Sequence, residues 1–322
     1  MLLKLGSKGP AVREIQSALG LNPDGIFGPY TEAAVKRYQQ KNGLAVDGIV
    51  GPQTYNNLIQ NDTDLDTDRF GYDDSIPDTD NKIKHLDPYT TDEGLKIHRA
   101  YLDTDEYVRD YGKIKPVNLI IHDTAGWDNP YNTIASWNRD KRGRVCTQYC
   151  IGGLNIRGNT KHDGEVVECF PDNYLGWHTG NVGDWEHVAK LSVGIEINNF
   201  GRLTEKNGKF YNYVNYEVPS EQVVTLEKPH RGYLHYHKYS EKQIENLRLL
   251  ILHIQRIHPT INISNGLPAL LKLVDPFEAF EFNDEAYYGR TRGLWTHTNV
   301  RKDKNDCSPQ PLLVDILKTF SK

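Results

Sequence analysis

Basic charge is in deficit, sulfur is scarce, and long apolar runs are missing. Lysine and arginine total 38 against 43 aspartates and glutamates, a net charge of -5. Without a basic excess the chain has no broad electrostatic footprint for nucleic acid, and no such partner is expected. No apolar stretch approaches the roughly 20 residues of a membrane-spanning helix, so no membrane insertion is expected. The opening residues, MLLKLGSKGP, lack a signal-peptide core. This predicts a protein that is cytoplasmic or that leaves the cell without a cleaved signal. Four cysteines (Cys146, Cys150, Cys169, Cys307) in 322 residues do not make a disulfide framework. The first three read as small apolar groups on strands. Cys307 stands apart, in a loop of Lys, Asn, Asp, Ser and Pro. What remains is the composition of a globular protein, long enough for about two domains, and a monomer is expected.

An internal repeat occupies the first 60 residues. Pro23-Asp24-Gly25-Ile26-Phe27-Gly28-Pro29, followed by Thr31 and Val35, is echoed by Val46-Asp47-Gly48-Ile49-Val50-Gly51-Pro52, followed by Thr54 and Leu58. Each Asp-Gly opens a turn, an apolar pair fills a core, and Gly-Pro leads into a helix, where proline suits the first turn. Val12, Ile15 and Leu19 share one helical face, Ala34, Val35 and Tyr38 another, and Tyr55 and Leu58 belong to a third helix. The spacing predicts a small all-α, three-helix domain over residues 1–60. Together with Leu5-Gly6-Ser7-Lys8-Gly9-Pro10-Ala11-Val12 and Tyr38-Gln39, the repeat resembles the peptidoglycan-binding domain 1 family. That resemblance implies a non-catalytic module docking on cell-wall peptide stems.

Residues 61–94 read as a linker. Eight aspartates between Asp62 and Asp80, with few apolar residues, predict an extended, self-repelling segment. A calcium loop would need a turn glycine and a distal bidentate carboxylate in register; Gly71 falls too late. From residue 95 to 322 the pattern predicts a second domain. It starts with a short helix over 95–108, then a buried strand over 117–121 and a helix over 131–139. Strands follow at 146–151 and 166–170 around an Asp163-Gly164 turn, with a buried strand at 192–197. Residues 198–239, rich in tyrosine and glycine, read as a long loop or hairpin. Ser240 caps a helix whose stripe is Ile244, Leu247, Leu250, Ile251 and Ile254. Residues 295–300 form a last strand or loop, and 312–320 a closing helix.

Chemistry concentrates at three places. His122 closes the apolar run Leu119-Ile120-Ile121, and ligands in open α/β sheets bind beyond the carboxyl ends of strands. Taken alone, such a histidine is most simply a packed core residue. His297 sits in Thr-His-Thr-Asn-Val, and Cys307 follows ten residues later. Two imidazoles and a thiolate make a zinc donor set that leaves one position for water. Spacing alone does not establish it, because twelve histidines give many chance pairs.

Ile120-Ile121-His122-Asp123-Thr124-Ala125-Gly126 resembles the Ile-His-His-Thr-Ala-Gly signature of the zinc-dependent N-acetylmuramoyl-L-alanine amidases, a superfamily that includes peptidoglycan recognition proteins. Asp163-Gly164-Glu165-Val166, Gly176-Trp177-His178-Thr179-Gly180, Ser192-Val193-Gly194-Ile195-Glu196-Ile197-Asn198 and the His297–Cys307 pair match further family motifs in order. The resemblance implies an α/β domain with a mixed central sheet flanked by helices, binding one zinc ion. His122, His297 and Cys307 would be its ligands. Asp306 is a rival for the third place, since members use either cysteine or aspartate there; register favours Cys307. Glu196 would be the catalytic acid–base, and Lys304 an oxyanion donor. His178, Trp177 and Thr147 would line the substrate cleft. Two departures stand out. Thr147 replaces a tyrosine, and the lysine that many members carry two residues before the third ligand is here one residue further back, with Asn305 in its place. Asp123 replaces a residue that is usually histidine, tyrosine or asparagine; its carboxylate either bonds near the metal or points to solvent.

The combined expectation is a two-domain enzyme that cleaves the amide between N-acetylmuramic acid and L-alanine, with peptidoglycan as its partner. The module order suggests a phage lysin that accumulates in the host cytoplasm and then reaches the periplasm and wall. The alternatives are a zinc peptidase cutting within the stem peptide and a recognition protein that binds wall without cutting it.

Overall fold

The computed structural model describes residues 2–19, 25–55, 57–58, 83–103, 107, 114–139, 145–172, 174–180, 182–183 and 187–321. The chain divides into two compact units, Met1–Pro77 and Asp78–Lys322.

In the first unit helices span Pro10–Ala18 and Pro29–Lys41, and residues 52–55 and 57–58 are also helical. The end of the expected third helix lies outside the described residues. Val12, Ile15, Phe27, Val35, Val50 and Leu58 form the core. The repeat has a physical basis that the pattern did not show. Gln16 Nε2 donates to the Ile26 carbonyl (3.0 Å) and Thr31 Oγ1 (3.1 Å), while its Oε1 accepts from Gly25 N–H (2.8 Å). Gln39 makes the same bonds to Ile49 (2.9 Å), Thr54 (3.2 Å) and Gly48 (2.9 Å). Each copy is thus pinned by one buried glutamine with three shared partners at fixed offsets, and Gln39 also donates to Asp47 Oδ1 (2.7 Å).

The second unit is built on a seven-stranded mixed sheet. Its strands are β1 (Lys84–Thr90), β2 (Lys96–Tyr101), β3 (Asn118–Asp123), β4 (Tyr149–Ile151), β5 (Val166–Glu168), β6 (Ser192–Ile197) and β12 (Leu294–Thr296), in the order β1-β2-β5-β4-β6-β3-β12. The central pairs β4–β6, β6–β3 and β3–β12 are parallel. β3 is buried at all six residues, as an apolar run between two parallel neighbours must be. One face packs on the helix Glu241–Ile257, through the expected stripe Ile244, Leu247, Leu250, Ile251 and Ile254, and on the closing helix Pro311–Phe320. Ser240 and Gln243 form a capping box at the start of the long helix. The other face packs on the helix Pro130–Arg139 through Ile134 and Trp137, with Cys146, Cys150 and Cys169 buried as free thiols in that layer.

Three expectations are corrected. Residues 95–108 were expected to hold a helix, but 96–101 are strand β2, with Leu95 and Ile97 alternating into the core. The folded unit also begins before residue 95, because β1 pairs antiparallel with β2 from Lys84. β1 is a polar edge strand with a bulge between Leu86 and Tyr89, where Pro88 fits, so it carries no apolar signature. The rest of the expected acidic linker, residues 61–82, lies outside the described residues. Residues 198–239, expected as a long loop or hairpin, hold a hairpin, Val223–His230 with Tyr233–His237, and more besides. They form a second, five-stranded antiparallel sheet from β7 (Arg202–Lys206), β8 (Lys209–Tyr211), β9 (Glu217–Val218), β10 (Val223–His230) and β11 (Tyr233–His237), ordered β10-β11-β7-β8-β9. Among the described residues no helix is long and apolar enough to cross a membrane.

Candidate metal centre

His122 lies at the carboxyl end of β3, Glu196 at that of β6, and His297 directly follows β12. Parallel pairing puts His122 opposite Glu196 and Ile121 opposite Thr296. The three strand ends therefore present their side chains at one edge of the sheet, where a cleft is expected.

His122 Nδ1, His297 Nδ1 and Asp306 Oδ2 converge there. The two imidazole nitrogens are 3.0 Å apart, His297 Nδ1 is 2.9 Å from Asp306 Oδ2, and His122 Nδ1 is 3.5 Å from it. Donor atoms about 2.1 Å from a tetrahedral zinc ion stand about 3.4 Å from one another. The three atoms form a triangle of that size, and the group is of the kind that holds a metal ion.

The protons support the same reading. Burial, followed by the neighbouring His297, lowers the His122 pKa to about 4. Burial, followed by His122 and His297, holds His178 well below its ordinary value. Both rings are therefore neutral at pH 7, each with one N–H and one lone pair. The Ser192 hydroxyl donates to the Ala189 carbonyl (2.9 Å), so His178 Nε2–H donates to Ser192 Oγ (3.0 Å). His178 Nδ1 then accepts from His122 Nε2–H (2.9 Å). This chain leaves the His122 Nδ1 lone pair facing His297 and Asp306. A single proton on His297 Nδ1 would have to serve both of its neighbours, whereas a cation satisfies all three donors at once. A ligating histidine usually donates its second N–H to an orienting partner, and here another histidine fills that place.

Strand β6 explains one sequence motif physically. Ser192, Gly194 and Glu196 alternate, so they share a face. Ser192 bonds His178, and Glu196 stands beside His122. A Cβ on Gly194 would lie 2.9 Å from the His178 ring and from the Thr147 methyl. Only glycine admits both.

The structure places the predicted residues differently in three respects. Cys307 was expected as third ligand, but its sulfur is not among the converging donor atoms. The residue is fully buried in the main apolar core, and burial pushes its thiol well above the ordinary value. Asp306 Oδ2 is the third of the converging atoms. Desolvation opposes its charge, but His297 and His122 outweigh that and hold the carboxylate well below its ordinary range. One signal for this was present: counted from Asp306, Lys304 stands two residues before the ligand, so that departure from the family pattern disappears. His178, expected to line the cleft, is instead buried between His122 and Ser192. Thr147 is also buried, its hydroxyl donating to the Tyr149 carbonyl (3.0 Å), and it supports His178 and Gly194 rather than facing a substrate. Trp177 is half-buried beside them.

Glu196 and Lys304 do come to the site. Burial, then Asp306 and Asp123, pushes the Glu196 carboxyl well above its ordinary value, while the Lys304 charge acts in the opposite direction. Asp123 turns away from solvent and accepts from the Tyr239 hydroxyl (3.0 Å). Burial and then the Asp306 charge raise its pKa, so the two adjacent carboxyls are pushed apart.

Residues 112–276 match the N-acetylmuramoyl-L-alanine amidase family, and residues 8–58 match the putative peptidoglycan binding domain family. Among solved structures, a fused Zn-dependent amidase/peptidase/peptidoglycan-binding domain protein from Clostridium acetobutylicum is 43% identical over 18% of this chain and 28% of its own, with a TM-score of 0.18. A Burkholderia AP3 phage endolysin is 32% identical over 23% of this chain and 34% of its own (TM-score 0.18). The E. coli amidase AmiD is 18% identical over 55% of this chain and 53% of its own (TM-score 0.28). This chain thus spans about a third or less of the Clostridium and phage proteins. No curated protein sequence matches it.

Proposed function

The chain belongs to the N-acetylmuramoyl-L-alanine amidase family, and from that premise we propose that it is a zinc-dependent peptidoglycan hydrolase. It cleaves the amide between the muramic acid lactyl group and L-alanine, with residues 1–60 as a wall-binding module. The observation that carries the zinc reading is the convergence of His122 Nδ1, His297 Nδ1 and Asp306 Oδ2, with the His122 lone pair aimed by the His178–Ser192 chain. Bound there, zinc supplies Lewis acidity, polarising a carbonyl and acidifying a water molecule.

This chain's own residues do the rest. Burial and two nearby carboxylates shift Glu196 toward its neutral form. A dication at the donor atoms pulls the other way. A carboxyl balanced between the two is suited to take a proton from the attacking water and return it to the leaving alanine nitrogen. Lys304, whose charge reaches both His122 and Glu196, adds positive potential where an oxyanion develops. The module raises the local concentration of wall without adding a contact at the catalytic centre.

The test is mass spectrometry of digested peptidoglycan. Free L-alanine amino termini on intact stems are expected. New ends inside the stem would instead establish a peptidase. Wall binding without any new end would establish a recognition protein.

A further inference from the structure

The second sheet ends in a hairpin tip that reaches the ligand-bearing loop. β10 and β11 meet at His230 paired with Tyr233, leaving Arg231-Gly232 as a two-residue turn. Both have positive φ, 51° and 85°. Such turns favour Asn-Gly or Gly-Gly, and a long side chain at the first position is strained. Arg231 is nevertheless there, and its side chain is only 13% exposed.

Its guanidinium makes two hydrogen bonds and one ion pair. Nη1 donates to the Lys302 carbonyl (2.8 Å), Nη2 to the Thr298 carbonyl (3.3 Å), and Nε lies 3.0 Å from Glu281 Oε2. Thr298 and Lys302 belong to the segment from His297 to Asp306, two of the three candidate ligands, which opens with the helical turn His297–Val300 and continues as a loop. That loop is closed by Thr298 N–H donating to the Asp306 carbonyl (2.9 Å). On its other side Arg301 Nη1 donates to the Thr179 carbonyl (3.2 Å). The turn itself is fixed by the Tyr236 hydroxyl, which donates to the His230 carbonyl (2.6 Å).

We propose that Arg231 is a positioning residue through which the second sheet sets the His297–Asp306 loop, and so the retention of the metal. This rests on the zinc reading above. A planar fork bonds two carbonyls from two separate nitrogens while its charge stands beside a carboxylate, a spread that the single nitrogen of an ammonium does not reproduce. With the fork removed, the loop keeps its sequence and both ligands but loses the anchor that fixes their separation.

The discriminating variant is Arg231→Gly. Glycine relieves the turn, so a residue serving the turn alone would be replaced without loss. Zinc affinity of the full chain is measured by competition with a chromophoric chelator, and the cobalt-substituted protein by its visible d–d spectrum. Arg231→Gly is expected to leave the metal-free protein folded, the relieved turn offsetting part of the lost contacts, yet to weaken zinc binding about tenfold or more and shift the cobalt bands. Arg231→Asn, which also accepts the turn, should behave likewise, and Arg231→Lys should fall between. Lys228→Gln, on the same hairpin but bonded to Asp275, should match the parent. Parent-like zinc affinity and cobalt spectra in the Arg231→Gly and Arg231→Asn proteins would overturn the proposal. A parent protein that binds neither metal would overturn the zinc reading itself, and this proposal with it.

Discussion

At the scale of single residues, the third donor is decided between Asp306 and its neighbour Cys307. Asp306 faces two imidazoles, whereas Cys307 is packed among apolar side chains. Asp306→Asn keeps the shape but removes the charge, and should lower both zinc content and lytic activity about 100-fold or more. Cys307→Ala should retain zinc and cost about 1–2 kcal/mol of stability through the small cavity it leaves. Metal analysis after dialysis against a weak chelator, paired with urea unfolding, separates the two; the reverse pattern would restore the thiolate as ligand. His122 and His297 were legible in the sequence because strand-end position and motif agree. Asp306 was less so: two adjacent donors in one loop differ only in which faces the cleft, and that depends on core packing contributed by residues far away in the chain. His178 was legible as a site residue but not in its role, since a histidine bonded through both nitrogens has the same motif as one lining a cleft.

At the scale of elements, β6 carries the site through alternation. Ser192, Gly194 and Glu196 orient His178, make room for it, and supply the carboxyl. Gly194→Ala would press a methyl against the His178 ring and Thr147 at 2.9 Å. The expected result is a loss of about 1–3 kcal/mol in stability and a weakening of zinc binding by about tenfold or more. Unchanged zinc titration would show that His178 does not orient His122. The second sheet supplies a pH prediction. Burial lowers the His237 pKa to about 3; its Nδ1 accepts from Phe200 N–H (3.2 Å) and its Nε2–H donates to Gln222 (3.1 Å). His230, through burial and then Arg231, is lowered to about 4. Between these values and about 6.5 the unfolded chain binds more protons than the folded one, so stability increases with pH. The stabilisation is complete above about pH 6.5 and is lost as pH falls toward 4 and 3. Urea midpoints of the metal-free protein should drop from pH 7 to pH 5, with a shallower slope in His237→Gln; identical slopes would contradict the assignment. Of this sheet only a hairpin was legible, as an alternative to a loop, because short, half-exposed strands rich in tyrosine and lysine have the composition of a loop.

At the scale of the whole molecule, two compact units divide the work. The repeat in the first was visible as sequence, while its buried glutamines were not, since one side chain serving three backbone and hydroxyl partners leaves no apolar period. Gln39→Leu strands the Gly48 N–H, the Ile49 carbonyl and the Thr54 hydroxyl, and should cost about 2–4 kcal/mol. Calorimetry of the full chain should show one transition lowered and the other unmoved; a shift in both would mean that the units do not unfold independently. In the second unit the central parallel strands and the long helix were readable from apolar runs and capping, and the polar edge strand β1 was not. The central claim is a zinc ion held by two histidine nitrogens and one carboxylate oxygen. X-ray absorption at the zinc edge tests it most directly. One zinc per chain is expected, with only nitrogen and oxygen neighbours at about 2.0–2.2 Å. A sulfur neighbour at about 2.3 Å would put Cys307 in the place of Asp306 and contradict it.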